Sequence, residues 1–167
     1  MLGTTSTGSG ATPIHYVVGV AVRHGDWLDQ IRAICATMTS GGTLGSRWSS
    51  PLRDGQTIGG TGGQAKTRMC PKGQVVVGMR GRAGAYVDSL RIACRAIKWV
   101  APYTEKATGP TTWLSAVGGG GGKSFGPLRC GNDGVVETLS GKGGAYVDSL
   151  AMFCADKAET WSPNTGP

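Results

Sequence analysis

Three short segments carry the residues that could do chemistry: Gly25-Asp26-Trp27-Leu28-Asp29, Gly84-Ala85-Tyr86-Val87-Asp88 and Gly144-Ala145-Tyr146-Val147-Asp148. Each combines a glycine, an aromatic ring and an aspartate four residues after the glycine. An ionised carboxylate only accepts, and it takes charge-assisted hydrogen bonds from two adjacent hydroxyls. Main-chain N–H groups beside it supply matching donors, and glycine lets that main chain approach a ligand because no Cβ intervenes. Trp27, Tyr86 and Tyr146 could lay a ring against the apolar side of the same molecule. The set suits a polyhydroxylated ligand held without covalent chemistry. A plainer use of the same residues is structural: the aspartate caps a turn or takes a local N–H, and the glycines serve turns with positive φ.

These segments belong to a repeat. Residues 15–36, 74–95 and 134–155 align without gaps, and Asp29, Asp88 and Asp148 stand 59 and 60 residues apart. Cys35, Cys94 and Cys154 follow the same steps. A fixed period of this length marks a repeated supersecondary unit. Each unit reads as a β-hairpin. An apolar, β-branched strand (Val75, Val76, Val77) leads into a glycine-rich turn, expected at Gly81 to Gly84, and then a return strand. The return strand alternates, with Leu90, Ile92 and Cys94 on one face and Ser89, Arg91 and Ala93 on the other. Ile31, Ala33 and Cys35, and Leu150, Met152 and Cys154, repeat the first set, and these faces are expected to form the core.

A second element sits between the hairpins: Gly59-Gly60-Thr61-Gly62-Gly63 and Gly118-Gly119-Gly120-Gly121-Gly122. Each run begins 24 residues after the preceding repeat cysteine, at Cys35 and at Cys94. A flexible spacer need not keep register, so these runs belong to the repeat. The stretches 37–50 and 97–111 match poorly and are expected to carry variable loops. One domain is expected, with repeats near 11–58, 59–117 and 118–157 and a tail at 158–167.

The five cysteines divide by spacing. Cys70 precedes Cys94, and Cys130 precedes Cys154, each pair 24 residues apart. Folding each hairpin back brings its pair together, so disulfides Cys70–Cys94 and Cys130–Cys154 are expected. The first repeat has Ala11 at the corresponding place, which leaves Cys35 as an unpaired buried thiol that acts as a small apolar residue. No CxxC or Cys/His spacing suggests a metal site. Two matched pairs point to an oxidising compartment, hence to a secreted or extracellular protein, although the first residues show neither a basic region nor an apolar one of the signal-peptide kind.

Composition agrees with an all-β chain: 30 of 167 residues are glycine, only 16% are charged, and no sustained 3.6-residue apolar period is present. The net charge of +7 comes from scattered lysines and arginines, densest at Met79-Arg80-Gly81-Arg82. No basic stripe interleaves with aromatics as a nucleic-acid site requires, and a solvated basic surface is the expected reading. The longest apolar runs are too short to span a bilayer.

The segment Gly81-Arg82-Ala83-Gly84-Ala85-Tyr86-Val87-Asp88-Ser89-Leu90, preceded by a GGTGG run, resembles the jacalin-related lectins, closest in style to griffithsin-like members with three similar repeats that bind mannose. The likeness extends from about Ile14 to Cys154. It implies a β-prism I fold, three four-stranded antiparallel Greek-key sheets about a pseudo-threefold axis. It also implies sugar sites at one end, with no metal and no cofactor. Carried across, the first site would use Gly25, Asp26, Trp27, Leu28 and Asp29 with Gly60 to Gly63. The second would use Gly84, Ala85, Tyr86, Val87 and Asp88 with Gly119 to Gly122. The third would use Gly144, Ala145, Tyr146, Val147 and Asp148, but no glycine run follows Cys154, and Gly8-Ser9-Gly10 is the nearest substitute. Partners would be glycans or glycoproteins, of the mannose or glucose type, and a homodimer is possible on the family pattern.

Two rival readings fit the same residues. One is a structural or toxin-like prism protein that contacts membranes or other proteins, motivated by Trp48, Trp99, Trp113 and Trp161, which core packing would also explain. The other is an enzyme. His15 and His24 are the only histidines, and no nucleophile motif lies beside either. A glycosidase needs two convergent acids, whereas the counterparts of Asp26 are Ala85 and Ala145. No catalytic residues are therefore expected.

Overall fold

The computed structural model describes residues 14–38, 49–100 and 104–155. They form twelve strands and no helix: β1 (Ile14–His24), β2 (Leu28–Met38), β3 (Ser49–Asp54), β4 (Ile58–Gly59), β5 (Gln64–Met69), β6 (Gln74–Ala83), β7 (Val87–Val100), β8 (Thr104–Trp113), β9 (Val117–Gly118), β10 (Lys123–Arg129), β11 (Val136–Gly143) and β12 (Val147–Cys154). All pairings are antiparallel. The first sheet runs β5-β1-β2, with β3 and β4 sharing the outer side of β2. The second repeats it as β10-β6-β7, with β8 and β9 sharing the outer side of β7. Read as one broken outer strand, each such pair makes a four-position sheet of Greek-key order, in which the fourth strand returns beside the first. The third sheet contributes β11 and β12 among the described residues. The whole is the expected all-β, three-sheet prism.

The three hairpins β1–β2, β6–β7 and β11–β12 are built alike down to their irregularities. Each has one register shift near its start, at Val17/Gly19, Val76/Gly78 and Val136/Thr138. Each has another just before the turn, at Arg23/His24, Arg82/Ala83 and Lys142/Gly143. A bulge bends its strand and increases the local twist, which lets a sheet curl around a common axis. The turn itself falls later than the glycine content suggests. It occupies 25–27, 84–86 and 144–146, and Gly81 lies inside β6 opposite Leu90. Crowding is the reason for that in-strand glycine: a Cβ on Gly81 would run into the carbonyl of Ser89 and lie 2.9 Å from the Phe125 ring.

The core is threefold. Leu28, Val87 and Val147 are fully enclosed at equivalent positions, as are Ile31, Leu90 and Leu150, and then Ala33, Ile92 and Met152. Each buried Val, Leu or Ile side chain contributes about 1.5–3 kcal/mol, so the axis they surround is the main source of stability. The alternate residues are also covered. Tyr16, Val18, Ile34, Ala36, Val75, Val77, Ala93 and Ile97 form a second apolar cluster. The expectation of one apolar face per return strand is therefore too simple, because Ala93 and Ser89 are buried as well.

Both expected disulfides are present. Cys70 extends β5, donating its N–H to Val18 O, and bonds Cys94 of β7. Cys130 extends β10, donating to Val77 O, and bonds Cys154 of β12. Each bridge thus ties the last strand of one sheet to the second strand of the next. Cys35 belongs to neither bridge and is half-buried against the core, not fully enclosed. Removing one bridge with paired Cys→Ala changes (Cys70 and Cys94) is expected to cost about 2–4 kcal/mol of unfolding free energy. Denaturant titration of the variant against the parent reads this directly, and an unchanged midpoint would show that the sheets hold together without the link.

Candidate functional site

The glycine runs have a topological duty. β4 lies beside β2, with Gly59 opposite Gln30, whereas β5 lies beside β1, with Gln64 opposite His24. The four residues from Gly60 to Gly63 must carry the chain across the end of the β1–β2 hairpin. Gly119 to Gly122 do the same over β6–β7, from Gly118 opposite Ser89 to Lys123 opposite Ala83. Three strand spacings amount to about 14 Å, and five extended residue steps reach only about 17–18 Å. The crossover has little slack, so it presses on whatever lies at the hairpin end.

What lies there is the repeat aspartate. A Cβ on Gly62 would sit 2.5 Å from Asp29 Oδ1, and one on Gly63 would sit 2.5 Å from Asp29 Oδ2. In the second sheet a Cβ on Gly121 would sit 2.5 Å from Asp88 Oδ1, and one on Gly122 would collide with Asp88 Oδ2. Gly63 and Gly122 also hold φ of +67° and +66°, a conformation that glycine adopts without penalty. The loops are pinned further by Gly60 N–H to Asp29 O at 2.7 Å and Gly119 N–H to Asp88 O at 2.8 Å. The side chains expected to share a site are therefore together in the first two repeats: Asp29 with Gly60 to Gly63, and Asp88 with Gly119 to Gly122. The third glycine substitute, Gly8 to Gly10, lies outside the described residues.

The aspartates are not at the loop tips. They begin the return strands, and Asp29 and Asp88 are only 7% and 4% exposed under the glycine loops, while Asp148 is half-buried. Asp88 Oδ2 is enclosed and receives no hydrogen bond from the protein. Leaving a buried acceptor unpaired costs about 1–3 kcal/mol, so this carboxylate has unused bonding capacity.

The three turns converge. Trp27 lies 5.7 Å from Tyr86 and 5.1 Å from Tyr146 in edge-on contacts, and the two tyrosines are 4.8 Å apart, all between ring centroids. The aromatic residues thus interlock at one end of the prism instead of standing separately. Each turn closes with the same hydrogen bond, Gly25 to Trp27, Gly84 to Tyr86 and Gly144 to Tyr146, N–H to O at 2.9–3.1 Å. The repeats also interlace. A Cβ on Gly60 would sit 2.7 Å from Ala145 O, and one on Gly119 would sit 2.8 Å from the carbonyl carbon of Asp26. Asp26, assigned from sequence to the first site, has its backbone against the second glycine loop, and Ala145 lies against the first. The motif glycines behave differently from the loop glycines. Nothing lies within 4 Å of a Cβ built on Gly25 or Gly144, and Gly84 meets only ordinary contacts, the nearest at 3.5 Å.

Sequence reasoning missed the arginines. Arg23 donates from Nε to Gly62 O and from Nη2 to Gly63 O, both at 2.8 Å. Arg82 donates from Nε to Gly121 O at 2.8 Å and from Nη2 to Gly122 O at 2.7 Å. These are structural donors and not a solvated basic surface. Arg80, beside it in sequence, stacks 4.4 Å over Trp113. The signal was available: Arg23 and Arg82 stand six residues before the aspartate in the repeats followed by a glycine run, and Lys142 replaces them in the third. Gln30 adds a bond to Gly60 O at 2.7 Å. His24, next to the first loop, reaches only its neighbour's carbonyl, Gly25 O, at 3.3 Å. Of the four tryptophans that motivated a membrane reading, Trp48 and Trp161 lie outside the described residues and so does the side chain of Trp99. Trp113 is half-buried with Arg80 and Arg129 over its ring.

Comparison by sequence finds no matching family model and no matching curated protein. Comparison by structure does. Malaysian banana lectin aligns with a TM-score of 0.55 at 18% identity, over 92% of this chain and 95% of its own. AcmJRL, a mannose-binding jacalin-related lectin from Ananas comosus, aligns with a TM-score of 0.55 at 16% identity, over 90% and 87%. Frutalin from Artocarpus incisa, in complex with galactose, aligns with a TM-score of 0.56 at 14% identity, over 86% and 95%. The fold is that of the jacalin-related lectins, a β-prism.

The two kinds of glycine in the second loop separate cleanly by mutation. Gly122→Ala combines a left-handed φ with a collision at Asp88, and is expected to destabilise by about 1–2 kcal/mol or more. Gly120→Ala, with nothing within 4 Å of its Cβ, is expected to stay within about 0.5 kcal/mol of the parent. Denaturant titration of the two variants makes the comparison.

Proposed function

We propose that this chain is a non-catalytic carbohydrate-binding protein that seats a hexose between a Gly-x-x-x-Asp turn and the adjacent glycine loop, at Asp29 and at Asp88. The observation that carries the reading is the freedom around Gly25, Gly84 and Gly144. Glycine recurs there in all three turns, yet neither crowding nor a positive φ calls for it at any of the three. Bare main chain at an exposed turn suits a ligand that must approach closely. The exposed main chain of Thr61 to Gly63 and of Gly120 to Gly122 offers further polar groups beside each aspartate.

The resemblance to the jacalin-related lectins implies a mannose- or glucose-type ligand, and the structural neighbours include both a mannose-binding lectin and a galactose complex. Single shallow sites bind weakly. Two or more at the same end of one body gain avidity on a branched glycan through effective concentration. The inter-sheet disulfides support an extracellular setting.

A second reading is favoured by one observation, the burial of Asp29 and Asp88 beneath the loops. There the carboxylates merely hold the crossovers in place. A glycan array carrying terminal mannose, glucose and galactose, run with the parent, Asp88→Asn and Gly25→Val, separates the two. Binding that free monosaccharide competes away, and that falls at least tenfold in Asp88→Asn and in a still-stable Gly25→Val, is the expected result. A parent that binds no glycan above background ends the proposal, and equal binding by Gly25→Val removes the observation that carries it.

A further inference from the structure

The glycine loop is the least constrained part of the proposed site by composition and among the most constrained by position. Glycine loses more conformational freedom on ordering than any other residue. A loop that ordered only when ligand arrived would subtract that cost from affinity. In both sheets a single side chain offsets it beforehand. Arg23 and Arg82 each direct the Nε and Nη2 donors of one guanidinium fork at two successive loop carbonyls, Gly62 and Gly63 or Gly121 and Gly122, at 2.7–2.8 Å. Arg82 adds Nη1 to Ser124 Oγ at 3.2 Å. The carbonyls they hold belong to the glycines whose Cβ positions fall on the aspartate oxygens.

We propose that Arg23 and Arg82 are positioning residues that set ligand affinity by locking each glycine loop against its aspartate before ligand binds. The inference rests on the proposed carbohydrate site but concerns the loop, which can be observed without ligand. Geometry, not charge, is the operative property. A guanidinium is planar and presents its donors in a rigid fork, whereas an ammonium is a point charge on a flexible stem. Lys142, at the corresponding place in the third repeat, has no such fork.

The test uses the full chain with Asp29→Ala and Asp148→Ala, so that only the Asp88 site reports. Methyl mannoside and methyl galactoside are titrated by calorimetry, and amide hydrogen exchange is followed at Gly121 and Gly122 without sugar. Arg82→Lys keeps the charge and is expected to weaken binding about tenfold and to speed exchange at both glycines. Arg82→Ala is expected to lose at least as much, and to recover part of it in millimolar guanidinium but not in methylammonium. A general loss of stability would not be repaired that way. Arg95→Lys is the control: Arg95 serves Gly109 O and Asp133 near the far end of the β6–β7 hairpin, and its variant is expected to bind like the parent. If the parent binds sugar and Arg82→Lys binds equally well, the positioning role is wrong while the site stands. If no sugar binds the parent, the exchange data still judge the clamp: unchanged protection in Arg82→Lys overturns it.

Discussion

In each of the first two sheets the chain must pass from the outer side of the return strand to the outer side of the first strand in four residues, over the end of its own hairpin. Much else at this end of the molecule follows from that short crossover. It has no length to arch clear of the hairpin, so it lies on the first residues of the return strand, where Asp29 and Asp88 stand. Side chains on the loop would meet the carboxylates, and glycine is therefore demanded at Gly62, Gly63, Gly121 and Gly122. A loop so rich in glycine does not hold its own shape, and the arginine fork from the neighbouring strand supplies the missing constraint. Crossover, aspartate and arginine form one mechanical unit, used twice.

The units do not stand apart. Trp27, Tyr86 and Tyr146 close the end of the prism by packing on one another, and each glycine loop is wedged against the turn of another repeat, Gly60 at Ala145 and Gly119 at Asp26. The two disulfides connect sheet to sheet. Every wall of the candidate site belongs to a different part of the chain. It is also unequal from copy to copy. Asp26 borders the second loop where Ala145 borders the first, so three repeats of one pattern do not make three identical surfaces.

Much was readable from residue order. The 59- and 60-residue steps disclosed three hairpins, the glycine runs disclosed a fixed element between them, and the 24-residue cysteine intervals disclosed both bridges. The errors share a cause. Gly81 reads as a turn residue because glycine favours turns, but it serves a close approach by Ser89 and Phe125, which come from other strands. Arg82 reads as surface charge because its partners, Gly121 and Gly122, are about 40 residues away. Ala93 and Ser89 fall on the second face of their strand, and alternation cannot tell whether that face is also covered.

Residue order by itself determined what is periodic and local: strand alternation, the repeat, the positions of glycine and cysteine, and the pairing of the first two Gly-x-x-x-Asp segments with a glycine run at constant distance. These survive in one dimension because each is a fixed spacing along the chain. Tertiary structure alone decided what faces what. It buried Asp29 and Asp88 beneath the crossovers, packed three aromatic rings against each other, set one repeat's turn against another repeat's loop, and gave the arginines their partners. Those outcomes depend on three sheets closing about one axis, and contacts across that closure join residues with no fixed relation in sequence.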